Sequence, residues 1–210
     1  MLRGMKKILK IVVLLSLFLG AKSAYAETRY GAIAGISFNE LKFSQDLITI
    51  DDKVGYSAGV LAEVMFQGIG FGLDIGCMYT QRGAVVHLEE KKVWNSDGWG
   101  AERVYLHSLE IPLNLRFKFR RLGGFEDYCA PFLFAGPSFM INAGIGKISA
   151  FNYAFGDIGL QFGCGLELFK KWQISVSYNK GLTKCIETVK LDEFQAKNNS
   201  LNIRLAYFFK

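Results

Sequence analysis

Nine charged residues carry most of the chemistry this 210-residue chain could perform: the acids Glu63, Asp74, Glu110, Asp157 and Glu167, and the bases Arg82, Arg116, Lys118 and Arg204. Paired carboxylates can trade protons as general acid and base. Charges aligned inside a membrane can mark an ion or proton path. The same groups can also only neutralise one another as buried filling. His107, Ser108 and Glu110 have the side chains of a hydrolase. On a strand, however, neighbours point to opposite faces, so His107 is turned away from Ser108 and Glu110 and no nucleophile–base contact forms within the strand. The other histidine, His87, falls in or beside a loop. Gly144, Gly146 and Lys147 resemble a phosphate loop, but Ile141 and Ile148 stand where that loop needs glycine and a hydroxyl residue. Gly68, Gly70, Gly72 and Gly76 are spaced by two or four with no helix after them, which is no dinucleotide fingerprint. The four cysteines, Cys77, Cys129, Cys164 and Cys185, match no zinc spacing. No catalytic residue, cofactor or metal site is expected.

What must position these residues is a set of strands. From Tyr30 onward the pattern is strict alternation. Val54, Tyr56, Ala58, Val60, Ala62, Val64 and Phe66 share one face, and Gly55, Ser57, Gly59, Leu61, Glu63 and Met65 the other. Leu109, Ile111, Leu113, Leu115, Phe117 and Phe119 oppose Ser108, Glu110, Pro112, Asn114, Arg116 and Lys118. Eight such segments are read, over 29–38, 54–66, 69–82, 103–120, 130–141, 156–168, 172–182 and 199–209. Most reach the ~9–11 residues that a tilted strand needs to cross a bilayer. Their connections alternate between long and short, as in up-and-down transmembrane barrels with short periplasmic turns and longer outer loops. An eight-stranded barrel is only just wide enough inside for side chains. The bulky face must therefore point outward, into lipid, with glycine and interlocked polar groups inside. The expectation is an all-β, eight-stranded, antiparallel up-and-down transmembrane β-barrel, closed because lipid offers no partner to an open sheet edge.

The first 26 residues carry five bases and no acid, then the apolar run from Ile11 to Gly20, then Ala24, Tyr25 and Ala26. This is the pattern of a secretory signal peptide. Its removal leaves 20 of the 25 basic residues against 19 acids. The mature chain, 27–210, is one nearly neutral barrel domain, and its charge offers nothing to nucleic acid. Tyr30, Phe66, Phe119, Phe169, Trp172, Tyr207, Phe208 and Phe209 fall near the periplasmic ends of the strands, as an aromatic girdle does.

On the inward parity, Glu63, Asp74, Glu167, Arg116 and Arg204 are expected to form a hydrogen-bonded plug across the lower barrel, with Glu110 and Asp157 also in the interior polar network. Cys129 and Cys185 fall at opposite ends of the barrel, too far apart for the ~7 Å a disulfide tolerates. In the second outer loop Trp94 and Trp99 are candidate contacts for a partner.

The stretches Gly72 to Gly83, Tyr105 to Arg116, Pro131 to Pro137, Asp157 to Glu167 and Tyr178 to Thr183, with the aromatic ending Leu201 to Phe209, resemble the outer-membrane β-barrel domain family common in Bacteroidetes and termed PorT-like. That family has glutamate where Asp74 stands, and here Lys210 follows the final aromatic residue. The resemblance implies a cell outer-membrane protein exported with a cleaved signal peptide, embedded in outer-membrane lipids. The reading is a noncatalytic scaffold or partner-binding component of the envelope, acting through its outer loops and with secretion among its settings. An outer-membrane lipid hydrolase and a narrow channel for small solutes or ions are the alternatives.

Overall fold

The computed structural model describes residues 26–43, 50–66, 68, 70–87, 100–119, 124–145, 151–188 and 195–209. Residues 1–25, where a signal peptide is expected, and Trp94 and Trp99 lie outside the described residues.

Eight long strands run antiparallel around a closed wall: β1 (Ala26–Phe43), β2 (Ile50–Phe66), β3 (Phe71–His87), β4 (Ala101–Lys118), β5 (Cys129–Ile145), β7 (Gly156–Leu168), β8 (Trp172–Gly181) and β10 (Gln195–Phe208). Closure is made by β1 and β10, paired from Gly31 with Phe208 to Phe43 with Ala196. Two three-residue strands at the long-loop end were too short to show as alternation: β6 (Phe151–Tyr153) and β9 (Ile186–Thr188). β9 pairs with the start of β10, and β6 pairs with β9, so they extend the wall beyond β7 and β8.

The outer surface carries a continuous apolar belt. On β4 it runs from Leu109 to Phe119, on β7 from Ile158 to Leu168, and on β2 from Val54 to Phe66. At roughly 2.5 Å of height per residue of a tilted strand, such runs span about 25 Å, the height of a lipid-facing barrel band. At the short-turn edge Tyr30, Phe66, Phe71, Phe119, Phe169, Trp172 and Phe209 are exposed. Phe208, expected in this girdle, is instead buried inside the barrel, and the Arg29 guanidinium lies 4.7 Å from its ring centroid. Parity decides this: Phe208 pairs with Gly31 on β1, an inward position.

The interior also holds bulkier groups than expected. Phe132, Phe134, Met65 and Met78 are all buried there. Each lies in register with an inward glycine on the adjacent strand: Phe132 with Gly165, Phe134 with Gly163, Met65 with Gly72 and Met78 with Gly59. A Cβ added at Gly163 would stand 2.7 Å from Phe134 Cζ. The glycines thus make room for their neighbours' side chains, which is how a narrow barrel fills without voids.

The tightest turn joins β7 to β8. Lys171 N–H donates to the Leu168 carbonyl at 3.1 Å, with Phe169 at φ 52° and Lys170 at φ 59°. Both central residues occupy the left-handed region that hairpin turns need and that glycine or asparagine normally supplies.

Candidate functional site

The inward charges assemble at three heights. The lowest cluster centres on Glu63, which is fully buried. Its carboxylate accepts from Lys118 Nζ at 2.8 Å, Arg116 Nη1 at 2.5 Å, Gln173 Nε2 at 2.9 Å and Arg29 Nη2 at 2.5 Å. Glu167 accepts from Lys118 and Gln173, both at 2.7 Å, and from Arg29. Arg116 Nε donates to Asp74 Oδ2 at 2.7 Å, while its guanidinium lies 4.1 Å from the Phe132 ring centroid. Register explains the convergence: Arg29 pairs with Glu63 and Glu63 with Asp74 across three adjacent strands, and Glu167 pairs with Gln173.

Arg204 does not join this lower plug. It sits higher, donating from Nη2 to both carboxylate oxygens of Glu110 at 2.9 and 2.8 Å. Thr80 and Ser138 hydroxyls complete that carboxylate at 2.9 and 3.3 Å. Two inward residues, Pro112 and Asn114, separate the lower and middle sites: on β4, Glu110 lies six residues from Arg116, about 15 Å of height. The third site is near the long-loop end. Arg82 donates to Asp157 at 3.2 and 2.9 Å, to Ser108 at 2.9 Å and to Asn142 at 3.1 Å.

Two members of the lower cluster were not read from the sequence. Arg29 shares the inward parity of Gly31 and Gly35, but stands only three residues past the expected cleavage point. Gln173 shares that of Ser175, Ser177 and Asn179. Both lie within the segments read from the sequence, 29–38 and 172–182, and carrying the inward parity to the first residues of those segments finds both.

Together the three sites hold five cations, Arg29, Arg82, Arg116, Lys118 and Arg204, and five anions, Glu63, Asp74, Glu110, Asp157 and Glu167. Each buried charge is thereby compensated in a space where an unpaired ion would be costly. Between the lower and middle sites lies a cavity of about 40 Å³ lined by Asp74, Asn114, Gln161, Arg204, Pro112 and Phe134 among others. Asp74 Oδ1, Asn114 Oδ1, Gln161 Oε1 and Arg204 Nε have no protein partner. That volume suits about three waters. A wider vestibule of about 240 Å³ opens at the short-turn mouth, bounded by Glu27, Arg29, Lys118, Glu126, Asp127, Glu167 and Lys170. The lower cluster forms its floor.

His107 and Ser108 point to opposite faces. Ser108 is buried against Arg82 and Asn142, and its hydroxyl donates to Asn142 Oδ1 at 2.7 Å. His107 is on the outer face, with its Nδ1 2.5 Å from the Tyr79 hydroxyl. None of the four cysteines forms a disulfide: Cys77 and Cys164 are exposed on the lipid-facing parity, and Cys185 is buried at the long-loop end. Among the described residues no group of three or more His, Cys, Asp or Glu is arranged to hold a metal ion.

Residues 21–187 match the family model for the outer membrane protein beta-barrel domain. The chain belongs to that family. The closed eight-stranded wall of this outer-membrane barrel also resembles solved structures. The outer membrane protein OprG from Pseudomonas aeruginosa shares 13% identity, over 88% of this chain and 95% of that one, with a TM-score of 0.51. Neisserial surface protein A shares 12%, over 86% and 97%, with a TM-score of 0.48. The attachment invasion locus protein Ail of Yersinia pestis shares 13%, over 87% and 99%, with a TM-score of 0.42. At these identities the likeness to OprG is one of fold. Comparison with curated protein sequences gives no match. As an outer-membrane barrel, the chain places its belt in lipid.

Proposed function

We propose that this outer-membrane barrel is a noncatalytic scaffold whose outer end engages another envelope component, in the manner of the PorT-like proteins of Bacteroidetes that its sequence resembles. We further propose that residues 1–26 are a signal peptide removed on export. The observation that carries the reading is the occluded axis. Arg29, Arg116 and Lys118 are locked on Glu63, Asp74 and Glu167 across the lower lumen, and Arg204 and Arg82 are each held by a carboxylate above. A lumen filled this way favours a role at the rim over transport. The long-loop end is built up by β6 and β9, which gives the outer loops a shared sheet to stand on.

The narrow-channel reading makes the opposite statement about the same groups and is tested with them. In planar bilayers the purified protein is expected to show no steady conductance, and Glu63→Gln combined with Lys118→Met to raise it. Steady conductance of the native protein, abolished by Arg116→Ala, would replace the scaffold with a channel. The scaffold itself is tested by shortening the connection between β5 and β7 and that between β8 and β10. The trimmed barrel should still fold and insert, and should lose a specific envelope partner that the native protein retains through purification.

A further inference from the structure

We propose that the outer face of β2, β3 and β4 binds the phosphate of a lipid headgroup in the outer leaflet, through Lys53 and His107 with Tyr79 and Tyr56 behind them. Height is the first argument. On β4 the apolar belt ends at Leu109, and His107 is the next outward residue above it. It lies ten residues from Phe117, about 25 Å, which places it where hydrocarbon gives way to headgroups.

The second argument is the hydrogen-bond chain. Tyr56 and Tyr79 stand side by side, with ring centroids 5.9 Å apart. The Tyr79 hydroxyl lies 2.5 Å from His107 Nδ1, and the two rings stack at 5.9 Å. In the tautomer whose Nδ1 accepts from Tyr79, the imidazole carries its proton on Nε2. A donor at the hydrocarbon edge needs an acceptor, because lipid tails offer none.

Charge is the third. The register of β2 against β3 shifts between Asp52 and Ser57, and Lys53 stands within that irregularity. Register shifts of this kind re-aim side chains. The Lys53 ammonium lies 3.3 Å from the ring centroid of Tyr105 on β4. Gly83, paired with Tyr105, is the β3 residue between them and presents no side chain in the way. Tyr105 is two residues from His107 on the same face, so a fixed cation and an imidazole N–H share one patch at headgroup height. Their common acceptor is an anionic oxygen with several lone pairs, and a lipid phosphate supplies it at that depth. A girdle built only of aromatic rings would need neither the lysine nor the oriented imidazole.

The test is native mass spectrometry of the full-length protein in detergent micelles. Three probes are added in turn: bisphosphorylated lipid A, the same lipid without phosphates, and phosphatidylglycerol. The phosphorylated lipid should be retained about tenfold over the phosphate-free form. Lys53→Met with His107→Leu should erase that ratio, Tyr79→Phe should cut it about threefold, and Lys53→Arg should preserve it. Equal retention of phosphatidylglycerol supports the phosphate site and shows that the sugar is not read. Equal retention of the phosphate-free lipid, or a ratio unchanged in the double variant, overturns the proposal. Circular-dichroism melts confirm that each variant folds, and the charge-keeping Lys53→Arg separates loss of binding from loss of structure.

Discussion

Inside the apolar belt, β3 and β4 put Asp74, Thr80, Glu110 and Arg116 at the axis and Leu73, Ile75, Leu113 and Leu115 outside. A few residues further toward the loops, the outer face gains exposed charges and the axis mixes apolar with polar groups. Ala84, Val86 and Leu106 are completely buried there, as are Ala196 and Cys185, with Arg82, Asn142, Asn198 and Ser200 also buried, while Lys42 and Lys197 are exposed. The backbone ladder continues through both regions, so secondary structure does not set the difference. The outer solvent does. Against hydrocarbon, apolar groups gain nothing by hiding inside, and the narrow axis holds paired polar groups together with those apolar side chains, such as Phe132 and Met65, that facing glycines admit. Against water, the hydrophobic effect returns, and Ala84, Val86 and Leu106 are buried beside the Arg82 site. The outer face of one β-sheet thus meets two solvents along its length.

Four experiments can break or sharpen this contrast. The largest effect is expected from Glu63→Ala, which strands Arg29, Arg116 and Lys118 without their shared acceptor in the lipid-enclosed half. Removing one side of a buried pair costs about 3–5 kcal/mol. Urea titration of the refolded barrel in detergent should show a fall in unfolding free energy of that size; a midpoint within error of the native protein would mean the cluster is dispensable. Next is Leu113→Arg on the lipid side of β4, where a cation near the midplane costs about 2–4 kcal/mol. Its partner, Gln81→Arg, sits above the belt on β3 and should stay within about 0.5 kcal/mol. Folding yields into vesicles would compare the two, and similar penalties would move the membrane boundary from where the belt puts it. Third, Leu106→Ala opens a cavity beside the Arg82 site in the upper barrel and should cost about 2–3 kcal/mol, as in a soluble protein. Hydrogen exchange should then rise in Ala101–Leu106 and not around Glu63. The smallest effect is a gain. Phe169→Asn with Lys170→Gly relieves two side chains from the left-handed region and should add about 1 kcal/mol. The loss of Lys170 from its 2.7 Å pair with Asp127 takes little away, because that pair is exposed. Thermal melts would detect the gain as a higher transition temperature.

Much of the wall was readable without coordinates. Val54 to Phe66 and Leu109 to Phe119 alternate so strictly that one face had to meet lipid, and the structure exposes that face. The inward parity of Glu63, Asp74, Glu110, Arg116, Asp157, Glu167 and Arg204 followed from the same count, and all seven are buried. Pairing did not follow. Arg204 was grouped with Arg116, yet it belongs to Glu110, because the stagger between β4 and β10 sets which charges share a height and alternation carries no height. Arg29 and Gln173 were missed at strand ends, where a periodic signal has too few repeats. Phe208 was placed in the girdle because its neighbours Tyr207 and Phe209 belong there; a shift of one residue moves a side chain to the opposite face.

The order of amino acids settled the strand period, the greasy outer face, the closed barrel and the sign of every inward charge, since these depend only on local alternation and on what lipid tolerates. Register around the barrel is a property of all eight strands at once. It alone chose which acid meets which base, which glycine yields to which phenylalanine, and where Lys53 and His107 come to share one patch. Those contacts join residues far apart in the chain, and their geometry exists only when β1 closes on β10.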